Sequence, residues 1–250
     1  MCKVFHILNG DSLRQQFPKD LQGEILVTRE CLIDGDVKAN GIEELFDIRA
    51  KFINSCYGNG SATFYNQNVV TEFIKMQNIP DGADVNLWFE DDLFCQVNFW
   101  FVMNLLSKTL DNRTFFLIRP KVGSEYSFAE MNTTELIEAY KNRKTIELSE
   151  ARMIGELWNF YQLNDFGKMI TNAEKLKSKF DFLLPAVQAH IDRIPVGGKT
   201  GRVTQTLVSI INDLGTTEFT PVYKEFSKRE KIYGFGDIQI KRFLEEIKHN

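Results

Sequence analysis

The sequence contains little of what several protein classes require. Its 250 residues include four cysteines and three histidines, and no Cys-x-x-Cys pair occurs. A zinc finger therefore lacks its ligands, and no His/Cys cluster supports a transition-metal site. We expect the widely spaced thiols to be reduced and to behave as small apolar side chains: Cys2, Cys31, Cys56 and Cys95.

Long apolar runs are also missing. A membrane-spanning helix needs about 18 consecutive apolar residues. The richest run, 93–106, is interrupted by Gln96, Asn98 and Asn104. The N-terminus enters a strand-like segment without the apolar core of a signal peptide. These patterns predict a cytoplasmic protein without membrane contact.

The chain lacks a surplus of positive charge. Its 30 Lys and Arg residues against 34 Asp and Glu residues leave a formal net charge of −4. Proteins that bind polyanions such as nucleic acid usually carry a surplus of basic residues, which this chain as a whole does not have. A local basic patch stays open as an alternative.

The first half of the chain alternates apolar strand patterns with helical ones. Such alternation predicts an α/β fold with a short, mainly parallel sheet flanked by helices. The predicted strands span 3–8, 24–28, 84–89 and 114–118. After about residue 145, helical periodicity dominates, with a strand pattern only over 231–235. We therefore predict an α/β domain (1–120), a connecting segment (121–147) and a mostly helical, possible winged-helix-like domain (148–250).

Three of the predicted strands end in polar residues. In a parallel sheet, ligands bind beyond the carboxyl ends of the strands, so these residues are expected to meet at one edge. Packing like charges together shifts their pKa values and costs stability, so such a cluster indicates a functional site. The alternative is that Asp11, Ser12 and Asp92 only cap helices. The predicted ligand-binding residues are His6, Asn9, Gly10, Ser12, Arg29, Glu30 and Gln96.

Each residue type suggests a role. Gly10 permits a tight turn, and the helix after it is a candidate site for a phosphate or carboxylate. Arg29 is suited to bidentate pairing with that anion. Asp11, Glu90 and Asp92 are the candidate catalytic residues, since a carboxylate can act as a general base. Glu90 and Asp92 are also candidate ligands for Mg²⁺, which takes oxygen ligands.

Two short motifs are weaker than they look. Residues 10–13 spell the Gly-Asp-Ser-Leu block of an esterase family, but no histidine stands in the Asp-x-x-His pattern that such an enzyme needs. Residues 197–200 end like a phosphate-binding P-loop, but Arg193 occupies the position of the first glycine. Neither motif predicts an activity here.

Four blocks together resemble an uncharacterised bacterial family, domain of unknown function 1835. They are His6-x-x-Asn9-Gly10-Asp11-Ser12, Arg29-Glu30-x-Leu32-x-x-Gly35, Arg49-x-x-Phe52 and Leu87-Trp88-Phe89-Glu90-Asp91-Asp92-Leu93-Phe94-x-Gln96. The chain from about Leu148 to Asp237 is similar to the helical domain that often follows it. Relatives often have Glu-His-Asp where this chain has Glu-Asp-Asp. The resemblance implies the fold and a site, without a known reaction.

Three functions follow as hypotheses. The first is binding of, or action on, a small phosphorylated or otherwise anionic ligand at the sheet edge, and it leaves open whether the protein is an enzyme. The second is nucleic-acid binding or regulation by the C-terminal helices, whose local positive charge comes from Lys224, Lys228, Arg229, Lys231, Lys241 and Arg242. The third is a scaffold for a partner protein. The sequence does not indicate an oligomeric state.

Overall fold

A five-stranded sheet forms the centre of the fold in a computed structural model that describes residues 2–58, 62–107, 112–121, 123 and 126–249. Its strand order is β2-β1-β3-β4-β5. The first four strands pair in parallel, and β5 joins β4 in antiparallel orientation. The strands are β1 (Val4–Asn9), β2 (Glu24–Thr28), β3 (Asp84–Trp88), β4 (Thr114–Ile118) and β5 (Lys144–Ile146).

The strand register aligns the polar strand ends. Asn9, the last residue of β1, lies opposite Thr28, the last residue of β2. On the other side of β1, Leu8 lies opposite Trp88, the last residue of β3. The chain leaves β1 towards β2 and then crosses to β3 on the opposite side. The strand order thus reverses between β1 and β3. In open parallel sheets, ligands bind in the crevice that forms beyond the strand ends at such a reversal.

Twelve α-helices surround the sheet or follow it within the described residues. Ahead of β4 these are α1 (Asp11–Gln16), α2 (Ile42–Tyr57), α3 (Ala62–Tyr65), α4 (Thr71–Gln77) and α5 (Leu93–Ser107). A π-helical segment, Asn66–Val70, joins α3 to α4. The later helices are α6 (Thr133–Lys141), α7 (Leu148–Leu163), α8 (Phe166–Leu176), α9 (Leu183–Asp192), α10 (Arg202–Leu214), α11 (Phe219–Arg229) and α12 (Asp237–His249).

Two features differ from the sequence-based expectation. The strand predicted over 231–235 is wrong, since Lys231–Tyr233 forms a 3-10 turn. The predicted connecting segment 121–147 contains α6 and β5. Helix α6 begins with a capping box between Asn132 and Glu135, a pattern visible in the sequence. Strand β5 has only three residues, two of them exposed, so its pattern is too short to recognise.

Apolar side chains cover both faces of the sheet. The larger cluster contains Ile7, Leu26 and Leu87 and continues through α5 and α7 into the C-terminal helices. The smaller cluster contains Leu8 and Trp88 on the opposite face. As its composition predicts, α5 is buried on nearly all sides. Among the helices that the structure describes, none has both the length and the apolar character to cross a membrane.

Candidate functional site

A cleft of about 350 Å³ opens at the carboxyl ends of β1 and β2. Half of the ten residues predicted to form a site line it: Asn9, Gly10, Asp11, Arg29 and Glu30. The opposite wall consists mainly of apolar and aromatic side chains from α2, α3, the π-helical segment and α5. The predicted convergence of the first two strand ends therefore produces a real concave surface.

Arg29 lies on the wall of this cleft and is held by two neighbours. Its Nε and NH2 donate to both carboxylate oxygens of Asp11 at 2.7 and 2.9 Å. Its NH1 donates to the main-chain oxygen of Asn68 at 3.0 Å. The hydrogen bonds to Asp11 raise the pKa of Arg29, which stays charged. The side chains remain partly accessible, with Arg29 22% exposed and Asp11 48% exposed.

Glu30 follows Arg29 in the chain but points into the core. Its carboxylate forms a bidentate pair with Arg49, with distances of 2.9 and 2.8 Å, and both side chains are completely buried. The hydroxyl of Tyr65 and the main-chain N–H of Cys31 donate to the same carboxylate at 2.7 Å. This set of bonds satisfies both charges, so Glu30 supports the cleft wall from behind.

The acidic block after β3 forms a second cluster. One ligand atom each from Glu90, Asp92 and Cys95 lies within 4.8 Å of the others. The Cys95 thiol donates to Glu90 at 3.3 Å, and the Phe128 N–H donates to the same carboxylate at 2.5 Å. The Asp92 carboxylate accepts from the Cys95 N–H at 2.9 Å. Asp92 therefore caps α5, as the alternative reading of the sequence predicts.

Burial controls the electrostatics of this second cluster. Removal from water, followed by the charge of Glu90, raises the pKa of Asp92 to about 7. Burial also raises the pKa of Glu90 and that of the Cys95 thiol. The turn at Gly234 covers the cluster so closely that a Cβ there would lie 2.0 Å from Asp92 Oδ1.

Two more residues of the acidic region serve the fold. Asp91 forms a bidentate pair with Arg119, whose Nε and NH2 lie 2.7 and 2.5 Å from the carboxylate oxygens. Gln96 is completely buried, and its Nε2 donates to the main-chain oxygen of Glu90 at 2.7 Å. Both contacts hold the β3–α5 connection in place.

Asn9 connects the cleft to the acidic cluster. Its Nδ2 donates to the sulfur of Cys95 at 2.8 Å, and its Oδ1 accepts from Asn98 at 2.9 Å. Asn98 also donates to the main-chain oxygen of Glu30 at 2.7 Å. A single polar network therefore runs from the cleft wall to the buried carboxylates.

Besides Gln96, two predicted ligand-binding residues lie away from the cleft lining: His6 and Ser12. His6 shares the face of Leu8 because side chains alternate along a strand, and it packs with Phe17 and Trp88. Its ring nitrogens meet the Trp88 indole N–H and the Gln22 main-chain oxygen, and burial lowers its pKa to about 4. Ser12 is exposed in the first turn of α1. Neither Asp11 nor Ser12 caps α1, whose N-cap is Gly10.

Three of the six predicted basic residues in the C-terminal helices pair with carboxylates. Arg229 pairs with Asp213 and Glu225, and Lys241 pairs with Asp237. Arg242 pairs with Asp34, on the loop after β2. These side chains hold the fold together and present less free positive charge than their number suggests.

Sequence reasoning missed several residues of the site. Cys95 and Asn98 lie three positions apart, on one face of α5, and the polar Asn98 inside an apolar run was the available signal. Thr28, Asn68 and Phe64 line the cleft, but no local pattern marks them. Their contribution depends on how α3 and the π-helical segment pack across the end of β2.

Comparison with known proteins finds no matching family, no matching curated protein and no matching solved structure. The resemblance to domain of unknown function 1835 therefore stays a prediction.

Proposed function

We propose that the protein binds a small anionic or phosphorylated ligand in the cleft at the ends of β1 and β2. One observation carries the proposal: the guanidinium of Arg29 lines the cleft, and its counter-ion Asp11 is about half exposed. Arginine binds carboxylates and phosphates through two parallel hydrogen bonds. The Nε and NH2 edge of Arg29 already presents this geometry to Asp11.

Binding takes place by exchange of anions. Partly exposed ion pairs contribute only about 0–1 kcal/mol, so a ligand anion can replace Asp11 at small cost. Asn68 keeps its contact with NH1 and holds the guanidinium in position during the exchange. Asp11 is then released at the cleft, where it is the candidate general base.

Mg²⁺ has no role in the proposed binding of the anion. Two of the three clustered groups are carboxylates, but the third is the thiol of Cys95, a softer ligand than Mg²⁺ prefers. Main-chain N–H groups of Phe128 and Cys95 already bind the carboxylates of Glu90 and Asp92. In this proposal Glu90 and Asp92 support the cleft through Cys95 and Asn9.

Calorimetric titration with inorganic phosphate tests the exchange. Arg29→Ala should weaken binding at least about tenfold, because it removes a charge-assisted bidentate contact. Asp11→Asn should strengthen binding, since it removes the competing charge. Arg14→Ala, an exposed arginine on α1 outside the cleft lining, is the matched control and should bind as wild type does. Equal binding by wild type and Arg29→Ala would reject the proposal.

Nucleic-acid binding by the helices of 148–250, in a winged-helix-like arrangement or otherwise, receives less support. Its predicted basic residues include three that pair with carboxylates. Exposed apolar side chains such as Leu163 and Val196 suit the scaffold alternative but do not specify a partner. A salt-dependent mobility shift with duplex DNA would support nucleic-acid binding.

A further inference from the structure

We infer that the ligand of this cleft joins its anionic group to a planar, apolar body, as in an aromatic carboxylate or an aryl phosphate. The inference rests on the proposed function, and it adds the substrate class. It predicts that an anion without such a body still binds the cleft, but about tenfold more weakly. Four features of the cleft support it: the composition of its lining, its size, an unpartnered hydroxyl and the π-helical segment.

The lining of the cleft combines a charged pair with apolar side chains. Asp11 and Arg29 supply the charges, whereas Phe64, Val69 and Phe94 come from other elements. Phe64 is 52% exposed, an unusual position for a large aromatic side chain. Covering apolar surface is favourable by about 25 cal/mol per Å², so a ring placed against Phe64 gains affinity. Aromatic rings also prefer stacked or edge-to-face contacts with one another.

The volume limits the size of the ligand. Pockets for small molecules and cofactors usually measure about 300–1,000 Å³. This cleft, at about 350 Å³, is near the lower end of that range. It therefore suits a single ring with one charged group better than a dinucleotide.

An unsatisfied hydroxyl indicates a further contact with the ligand. Thr28 lines the cleft but is only 1% exposed, and its buried Oγ1 has no hydrogen-bond partner among the residues that the structure describes. Buried polar groups are nearly always hydrogen-bonded, so an unpaired one on a cleft wall calls for an explanation. Because Oγ1 is buried, a polar atom of the ligand would satisfy it only after the Thr28 side chain rotates about χ1 towards the cleft, while the anionic group binds Arg29.

The π-helical segment forms part of the cleft lining. Asn68, in its middle, accepts the hydrogen bond from Arg29, and the next residue, Val69, belongs to the apolar wall. Phe64 lies in the preceding turn, where its main-chain oxygen accepts from the Asn68 side chain at 2.9 Å. Short π-helical segments occur often at functional sites. This one contributes to the cleft lining both the residue that holds Arg29, Asn68, and the apolar Val69.

Calorimetric titration with phenyl phosphate and methyl phosphate tests the inference, because the two probes share their charge and differ in their body. Wild type should bind phenyl phosphate about tenfold more tightly, a gain that one covered ring can supply. Phe64→Ala should remove most of this preference, and Phe64→Tyr should keep it. Ile74→Ala is the matched control, since Ile74 is 48% exposed but lies outside the cleft lining.

The outcomes separate this inference from the proposed function. Equal affinity for both probes, lost in Arg29→Ala but unchanged in Phe64→Ala, would overturn the inference and leave anion binding intact. Binding of phenyl phosphate that needs Phe64 but not Arg29 would overturn both. If neither phenyl phosphate nor methyl phosphate binds, the inference and the proposed function would both be overturned. Because Phe64 is exposed, its truncation should leave the thermal unfolding midpoint nearly unchanged, which a melting curve checks.

Discussion

Two ion pairs at the end of β2 begin from adjacent residues and differ in nearly every physical respect. Arg29 pairs with Asp11 at the mouth of a cleft, and the two side chains are 22% and 48% exposed. Glu30 pairs with Arg49 in the core, and both are 0% exposed. The direction of each side chain therefore decides whether an ion pair stays accessible, as the proposed binding requires, or supports the core.

The acidic block after β3 resembles the Glu30–Arg49 pair, because its carboxylates are buried and bound within the protein. Glu90 and Asp92 are bound by main-chain N–H groups, and the turn at Gly234 closes over them. An exposed pair can exchange partners with a ligand, whereas a buried group resists any change of charge. Four comparisons between variants test this division between an accessible and a buried site.

The largest effect is expected for the buried pair. Arg49→Met would leave the Glu30 carboxylate without its counter-ion in the core, at a cost of about 3–5 kcal/mol in the free energy of unfolding. Arg29→Ala should change the same quantity by about 1 kcal/mol or less, because its pair is partly solvated. Urea unfolding followed by circular dichroism measures both. Similar losses in the two variants would remove the distinction between the pairs.

Asp92 should make stability depend on pH. Its pKa is raised to about 7 in the folded protein, mainly by burial. The folded state then binds the proton more tightly than the unfolded chain, so this stabilisation is complete below about pH 4 and is lost as the pH rises to about 7. The free energy of unfolding of wild type should fall relative to that of Asp92→Asn, by up to about 1.4 kcal/mol per pH unit.

Asparagine keeps an oxygen that can accept from the Cys95 N–H, so the substitution removes the titration and preserves the cap. The measurement is urea unfolding of both proteins at several pH values from 4 to 8. Parallel stability curves for the two proteins would contradict a buried, titrating Asp92.

The cover over Asp92 can be tested with a matched pair of glycines. Gly234 and Gly215 both have left-handed backbones, with φ of 62° and 61°. A Cβ at Gly234 would meet Asp92 Oδ1 at 2.0 Å, whereas nothing lies within 4 Å of one at Gly215. Gly215→Ala should cost about 1 kcal/mol from the backbone alone, and Gly234→Ala about 2–4 kcal/mol because overpacking is added. Equal losses in thermal unfolding would show that Gly234 does not press on Asp92.

How far the sequence predicts this arrangement depends on the range of each interaction. Alternation and turn residues predict the four parallel strands, since the signals are local. The edge location of Asn9, Arg29 and Glu90 follows from the topology. Strand alternation puts His6 on the face of Leu8, opposite to Asn9, and the prediction of His6 as a ligand-binding residue beside Asn9 did not take this into account.

The partners of the charged residues could not be predicted in the same way. Arg49 and Glu30 are 19 residues apart, and Asn9 and Cys95 are 86 apart. These contacts depend on how helices pack over the strand ends, which no local pattern encodes. The same limit explains the missed wall of the cleft, because α3 and the π-helical segment reach it only through tertiary packing.

The smallest expected effect is a gain in the free energy of unfolding, whereas substitutions of buried residues usually lower it. Thr28→Val replaces an unpartnered hydroxyl by a methyl group of similar size, so it should raise the free energy of unfolding by about 1 kcal/mol. Thr71→Val is the control: the Thr71 hydroxyl donates to the Asn66 oxygen at 3.0 Å, and its loss should lower stability by about 0.5–1 kcal/mol. Urea unfolding of both variants measures the two signs. A loss of stability in Thr28→Val would mean that the hydroxyl is satisfied within the protein and is not reserved for a ligand. A gain would show that the hydroxyl is unpaired in the folded protein, as the proposed contact with a ligand requires.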